Sequence, residues 1–145
     1  MLTVTVYGVA APQGSTRAFV PKGWKRPIIT ADNLRTKPWR QAIIDACLPA
    51  LRGTPPLEGP VSVSVQFLLP RPKSAPRRVI EPAKLPDLDK LLRALLDGLT
   101  TAGAWRDDAQ VVMISAIKAF AGGVRDPLGR AGIPRAEITV NEVRP

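Results

Sequence analysis

Apolar and polar side chains alternate at the start of the chain, Leu2, Val4 and Val6 against Thr3, Thr5 and Tyr7, which predicts a strand over residues 2–8. Gly14, Pro21 and the cations Arg17, Lys22, Lys25 and Arg26 break that pattern, so residues 11–26 read as a loop with room for a short hairpin ending at Ile28 and Ile29. A helix is expected from a cap at Asp32 or Asn33 to about Leu51. Trp39, Ile43, Ala46 and Cys47 lie along one face of it, and Gly53, Pro55 and Pro56 stop it. Val61, Val63, Val65 and Phe67 then alternate with Ser62, Ser64 and Gln66, the clearest strand in the sequence. Residues 70–86 are proline-rich and predict no regular structure. Leu88, Leu91, Leu92, Leu95, Leu96 and Leu99 recur with the helical period and give a second helix one continuous leucine face. Residues 110–120 read as a buried strand, 122–134 as a glycine-bearing basic loop and 136–143 as a final strand. That order predicts a single α+β domain over residues 1–145, with two main helices against a mixed sheet.

The polar side of the second helix carries Asp89, Arg93 and Asp97 at four-residue intervals, with Lys90 beside them. Asp87 stands just before the first turn, where a carboxylate meets free backbone N–H groups and the favourable end of the helix dipole. Asp107 and Asp108 follow the helix, after a bend supplied by Gly103. Taken one at a time these are a cap, a solvated stripe and a turn pair. Together they bracket one short helix with oxygen donors of the kind hard divalent cations require. Five cations, Arg71, Lys73, Arg77, Arg78 and Lys84, lead directly into them.

Net charge sharpens that reading, since +9 with a sequence pI near 10.6 attracts polyanions, nucleic acid first. The chain has no histidine, which removes Ser-His and Cys-His nucleophiles, histidine-ligated zinc and histidine-based nuclease classes. Cys47, the single cysteine, lies in an apolar run and reads as core, with no internal disulfide. No stretch approaches the ~18 apolar residues of a membrane span, and the first residues lack the charged and apolar regions of a signal peptide, so a cytoplasmic protein is expected. Trp24 and Trp39 have the chemistry to stack on unpaired bases, although packing is the favoured reading for both, and Trp105 is expected to anchor the turn. These residues alone leave two functions open: a metal-carboxylate nuclease and a non-catalytic, basic nucleic-acid-binding protein.

The run PDLDKLLRALLDGL followed by AGAWRDDAQVV resembles the signature of RusA-type Holliday junction resolvases, also called crossover junction endodeoxyribonucleases, which are common in phages and prophages. GVAAPQGSTRAF is weakly similar to the N-terminal strand and loop of phage-borne members. The resemblance implies a RusA-like fold and Mg²⁺-dependent cutting of branched DNA, four-way junctions above all, in recombination and repair, with Mn²⁺ as an alternative ion. It assigns Asp87, Asp89 and Asp108 as metal-binding, catalytic aspartates, Asp97 and Asp107 as further acidic positions, and Lys118 as a basic position in the following strand. Two departures stand out. The family's D-x-D-N is D-L-D-K here, with Lys90 in place of asparagine, and its helical lysine is Arg93. Arginine holds its proton at any relevant pH, so Arg93 is expected to stabilise developing negative charge rather than donate a proton.

DNA contacts are expected from Arg71, Lys73, Arg77, Arg78, Lys84, Lys90 and Lys118, with Arg125, Arg130 and Arg135 as weaker candidates. Cutting two symmetry-related strands implies a twofold homodimer. Helical residues 88–99 span about 18 Å, so Asp108 leaves from the end opposite Asp87 and Asp89. Asp108 of one subunit is therefore expected to complete a site begun by Asp87 and Asp89 of the other.

Overall fold

In a computed structural model, residues 1–14, 16–26, 28–31, 34–129 and 132–145 are described. The elements run β1 (Leu2–Tyr7), β2 (Thr16–Phe19), β3 (Ile28–Ala31), α1 (Thr36–Leu51), β4 (Val61–Leu69), α2 (Leu88–Ala102), a 3-10 turn (Asp108–Gln110), β5 (Val111–Phe120) and β6 (Arg135–Glu142). The expected caps Asp32 and Asn33 lie outside the described residues. Four strands form one mixed sheet in the order β1-β6-β4-β5, in which β4 and β5 are parallel and the other pairs antiparallel. The expected hairpin exists as β2 and β3, an antiparallel pair separate from that sheet. The result is the α+β arrangement of two helices on a mixed sheet. No helix among the described residues is long and apolar enough to cross a membrane.

Alternation decides which sheet face is covered. Val4 and Val6, Val61, Val63, Val65 and Phe67, and Ala136, Ile138 and Val140 join Trp39, Ile43 and Cys47 of α1 and Leu91, Leu95 and Leu99 of α2 in one buried cluster. Burial pushes the Cys47 thiol up to about 11, so it is an inert core side chain. The two helices approach closely at Gly98, where a Cβ would stand 3.0 Å from Ile43 Cγ2. At the end of α2, Gly103 takes φ +87° and the chain turns back through bonds from the Gly103 and Ala104 N–H groups to the carbonyls of Thr100 and Leu99, the left-handed helix cap that glycine favours. Trp105 is buried beside this turn, and its indole N–H donates to Thr100 Oγ1 at 2.8 Å.

One strand corrects the sequence reading. Residues 110–120 have the apolar character of a buried strand, yet β5 is the sheet's edge, with Val112, Met113 and Ile114 exposed by 58%, 60% and 46%. An apolar run registers as hydrophobic wherever its strand sits in the sheet, because periodicity does not encode strand order.

Candidate active site

α2 is amphipathic because its leucines face the core, and this leaves the charged side of the helix in solvent. Asp87 is at the N-cap position with an extended backbone, φ −70° and ψ 137°, but its carboxylate makes no capping bond. It faces Lys90 Nζ instead, at 3.4 Å. Asp89 and Arg93 are exposed on the next turns, and among the described residues Arg93 pairs with neither Asp89 nor Asp97. Asp97 is engaged from two sides: Gln13 Nε2 donates to its Oδ2, and Arg40 Nη1 of α1 lies 4.0 Å away. The Gln13 backbone N–H also donates to the Lys90 carbonyl at 2.9 Å, so this glutamine ties the loop after β1 to α2.

Beyond the helix, the adjacent aspartates have different roles. Asp107 Oδ1 accepts from the Ala109 N–H at 2.8 Å, while Gln110 Oε1 accepts from the Asp107 N–H at 3.0 Å, a reciprocal capping box. Gln110 Nε2 further donates to the carbonyls of Leu57 and Gly59. Asp107 is thus fixed by the turn it builds, whereas Asp108 is exposed, its carboxylate making no hydrogen bond or ion pair among the described residues. It shares a shallow depression of about 380 Å³ with Arg40, Asp97, Thr100, Thr101, Arg106 and Asp107.

The two halves of the expected metal site are therefore at opposite ends of α2. The 15 residues of that helix span about 22 Å. No group of three or more metal-ligating side chains comes together among the described residues. Asp87, Asp89 and Asp108 have the right donor chemistry for Mg²⁺, three carboxylates and no competing soft ligand, but a single copy of the chain does not gather them.

The cations expected to meet DNA divide into two groups. Lys73, Arg77, Arg78 and Lys84 are exposed and lack ion pairs among the described residues. Arg71 instead holds the fold together. Its guanidinium donates to the carbonyls of Val79 at 2.7 Å and Pro76 at 2.6 Å and lies 5.1 Å over the Phe120 ring, closing the proline-rich loop on itself. Lys118 likewise turns inward, donating to the carbonyls of Lys84 at 2.7 Å and Pro86 at 2.9 Å, so the far end of β5 anchors the segment that delivers Asp87. Lys90 remains exposed beside Asp87, and Arg125 pairs with Glu81 at 2.7 Å.

Arg135 is not available to phosphate, contrary to the expectation from its charge. It is fully buried and bonds both oxygens of Asp126, Nη2 to Oδ1 at 2.5 Å and Nη1 to Oδ2 at 3.0 Å, with Nε donating to Glu137 Oε1 at 2.6 Å. The Arg135 hydrogen bonds, helped by the N–H groups of Gly122 and Leu128, hold the Asp126 carboxyl down at about 2. Arg130 lies outside the described residues. Sequence reasoning missed Gln13 and Arg40. It also missed Gln110, although D-x-x-Q before a strand is a capping-box signal.

A basic α+β domain with exposed carboxylates toward both ends of one helix, beside an exposed cationic loop, has the charge pattern that attracts a polyanion. Its family is definite: residues 10–141 match Endodeoxyribonuclease RusA, and the chain belongs to that family of endodeoxyribonucleases. It is 27% identical to "Uncharacterized protein YqaN" of Bacillus subtilis (strain 168), over 96% of this chain and 94% of that protein. It is 42% identical over 57 residues to "Crossover junction endodeoxyribonuclease RusA" of Escherichia coli (strain K12) and of Shigella sonnei (strain Ss046), a match covering 39% of this chain and 40% of each of those proteins.

Proposed function

We propose that this chain is a Mg²⁺-dependent endodeoxyribonuclease that resolves four-way junctions and other branched DNA in recombination and repair, acting as a twofold homodimer. The observation that carries the reading is the contrast among the aspartates: Asp97 and Asp107 are tied into the fold, while among the described residues Asp89 and Asp108 make no hydrogen bond or ion pair and Asp87 pairs with Lys90. Asp87, Asp89 and Asp108 would hold the ion. When bound, Mg²⁺ polarises the scissile phosphate and acidifies an attacking water. Arg93, one turn beyond Asp89, places a permanent positive charge toward the developing phosphorane. Lys73, Arg77, Arg78 and Lys84 track the backbone toward the site without reading sequence.

The split site and the exposed edge support the dimer. Asp108 lies just before β5, whereas Lys118, at the other end of the strand, bonds the segment leading to Asp87. Antiparallel pairing of β5 with its copy about a twofold axis runs the two strands head to tail. It brings the Asp108 end of one subunit toward the Asp87 and Asp89 end of the other, and it pairs the open backbone edge along Val112, Met113 and Ile114.

The test is incubation of a synthetic four-way junction and a linear duplex with and without Mg²⁺. The reading expects junction cutting only with the ion, and Asp89→Asn should abolish cutting while junction binding persists or strengthens. Junction binding without Mg²⁺-dependent cutting by the unaltered protein would favour the non-catalytic binder instead.

A further inference from the structure

The chain has three tryptophans, and the structure treats them unequally. Trp39 and Trp105 are 4% and 1% exposed, as core packing requires, but Trp24 is 60% exposed, which overturns the packing reading for it. Trp24 lies in the connection between β2 and β3. Its N–H donates to the Pro21 carbonyl at 3.0 Å across a tight turn in which Gly23 takes φ +86°, a conformation that a side chain at that position would strain. The turn therefore fixes the backbone from which the indole projects. Lys22, Lys25 and Arg26 around it are all exposed and form no ion pair among the described residues. The hairpin pairs with neither edge of the four-stranded sheet.

We propose that the segment KGWKR of this hairpin is a second DNA contact, in which Trp24 stacks on a base with a free face while Lys22, Lys25 and Arg26 hold the adjoining phosphates. A single exposed apolar side chain is ordinary. A broad indole set among three exposed cations in five residues matches the chemistry of a nucleic-acid strand, whose bases present π-faces and whose backbone presents negative charge. Bases inside a continuous duplex already have both faces stacked. The ligand that suits Trp24 is therefore a single strand or the unstacked bases at a branch point. The inference rests on DNA being the ligand but not on the metal site, since it concerns binding alone.

The two buried tryptophans make Trp24 its own reporter. In Mg²⁺-free buffer, acrylamide should quench a solvent-accessible part of the emission that Trp24→Leu removes, and a four-way junction or single-stranded oligonucleotide should shield it. Trp24→Leu should keep its melting temperature but bind the junction and the single strand about 5- to 150-fold more weakly, the equivalent of the ~1–3 kcal/mol of one base–aromatic stack. Blunt duplex binding should change by less than about twofold, and Trp24→Phe should restore most of the affinity. Equal loss on all DNA forms, or no loss on any, overturns the stacking role. Emission already shielded without DNA, and exposed on dilution, overturns it in favour of a contact between copies of the chain. Absence of cutting with the differential binding intact would count against the nuclease reading and leave this inference standing.

Discussion

Arg135 and Asp126 show how an exposed-looking charge in a sequence can be a core element. Their bidentate pair is fully removed from solvent, and Glu137 takes the remaining guanidinium edge. Arg135→Met leaves Asp126 without its main partner, and a cost of about 3–5 kcal/mol in urea unfolding is expected, far above that of Arg77→Ala on the surface. The pair also sets an acid limit. Asp126 is lowered from its ordinary 3.8 to about 2, so the folded state favours the ionised form. Its contribution is complete above pH ~4 and is lost as pH falls through about 2, on the order of 2 kcal/mol in total. Unfolding free energies measured between pH 5 and pH 2 should decline more steeply for the unaltered protein than for Asp126→Asn. Parallel declines would show that the pair does not titrate in this window.

Among the elements, the proline-rich loop and β5 flank the proposed site. Arg71 organises the loop, which leaves Arg77 and Arg78 exposed. Replacing both with alanine should weaken binding to every DNA form alike and lower the salt slope by up to about two units, since each phosphate contact releases roughly one counterion. An unchanged slope would make the loop a solubilising surface. On β5, Met113→Glu puts a charge on the exposed edge. It should yield a folded monomer by light scattering that no longer cuts junctions, whereas a dimer that persists and cuts would move the interface elsewhere.

These same elements show what the chain's pattern reveals. α2 was legible because six leucines at helical spacing admit only one buried face, and β4 because its alternation is strict. The aspartates were legible as a motif, but their division between Asp107 as a cap and Asp108 as an exposed carboxylate depends on the Gln110 side chain reaching back. The position of β5 at the edge, the inward turn of Lys118 and the burial of Arg135 depend on which strands become neighbours. That is a non-local outcome, with no signal in local periodicity or charge.

At the scale of the whole molecule, the central claim is that a working site needs two copies of the chain, because Asp87 and Asp89 stand at the N-terminal end of α2 while Asp108 lies beside Asp97, Thr100 and Thr101 toward its other end. The most direct measurement is cleavage of a four-way junction by a purified heterodimer of one Asp89→Asn subunit and one Asp108→Asn subunit, each carrying a different tag so that dimer formation is verified. With a shared site, the heterodimer retains one complete set, Asp87 and Asp89 from the Asp108→Asn subunit with Asp108 from the other, so it should nick one strand while both parent homodimers stay inactive. If each subunit instead builds its own site, both sites carry a lesion, and a verified heterodimer that leaves the junction uncut would contradict the shared site.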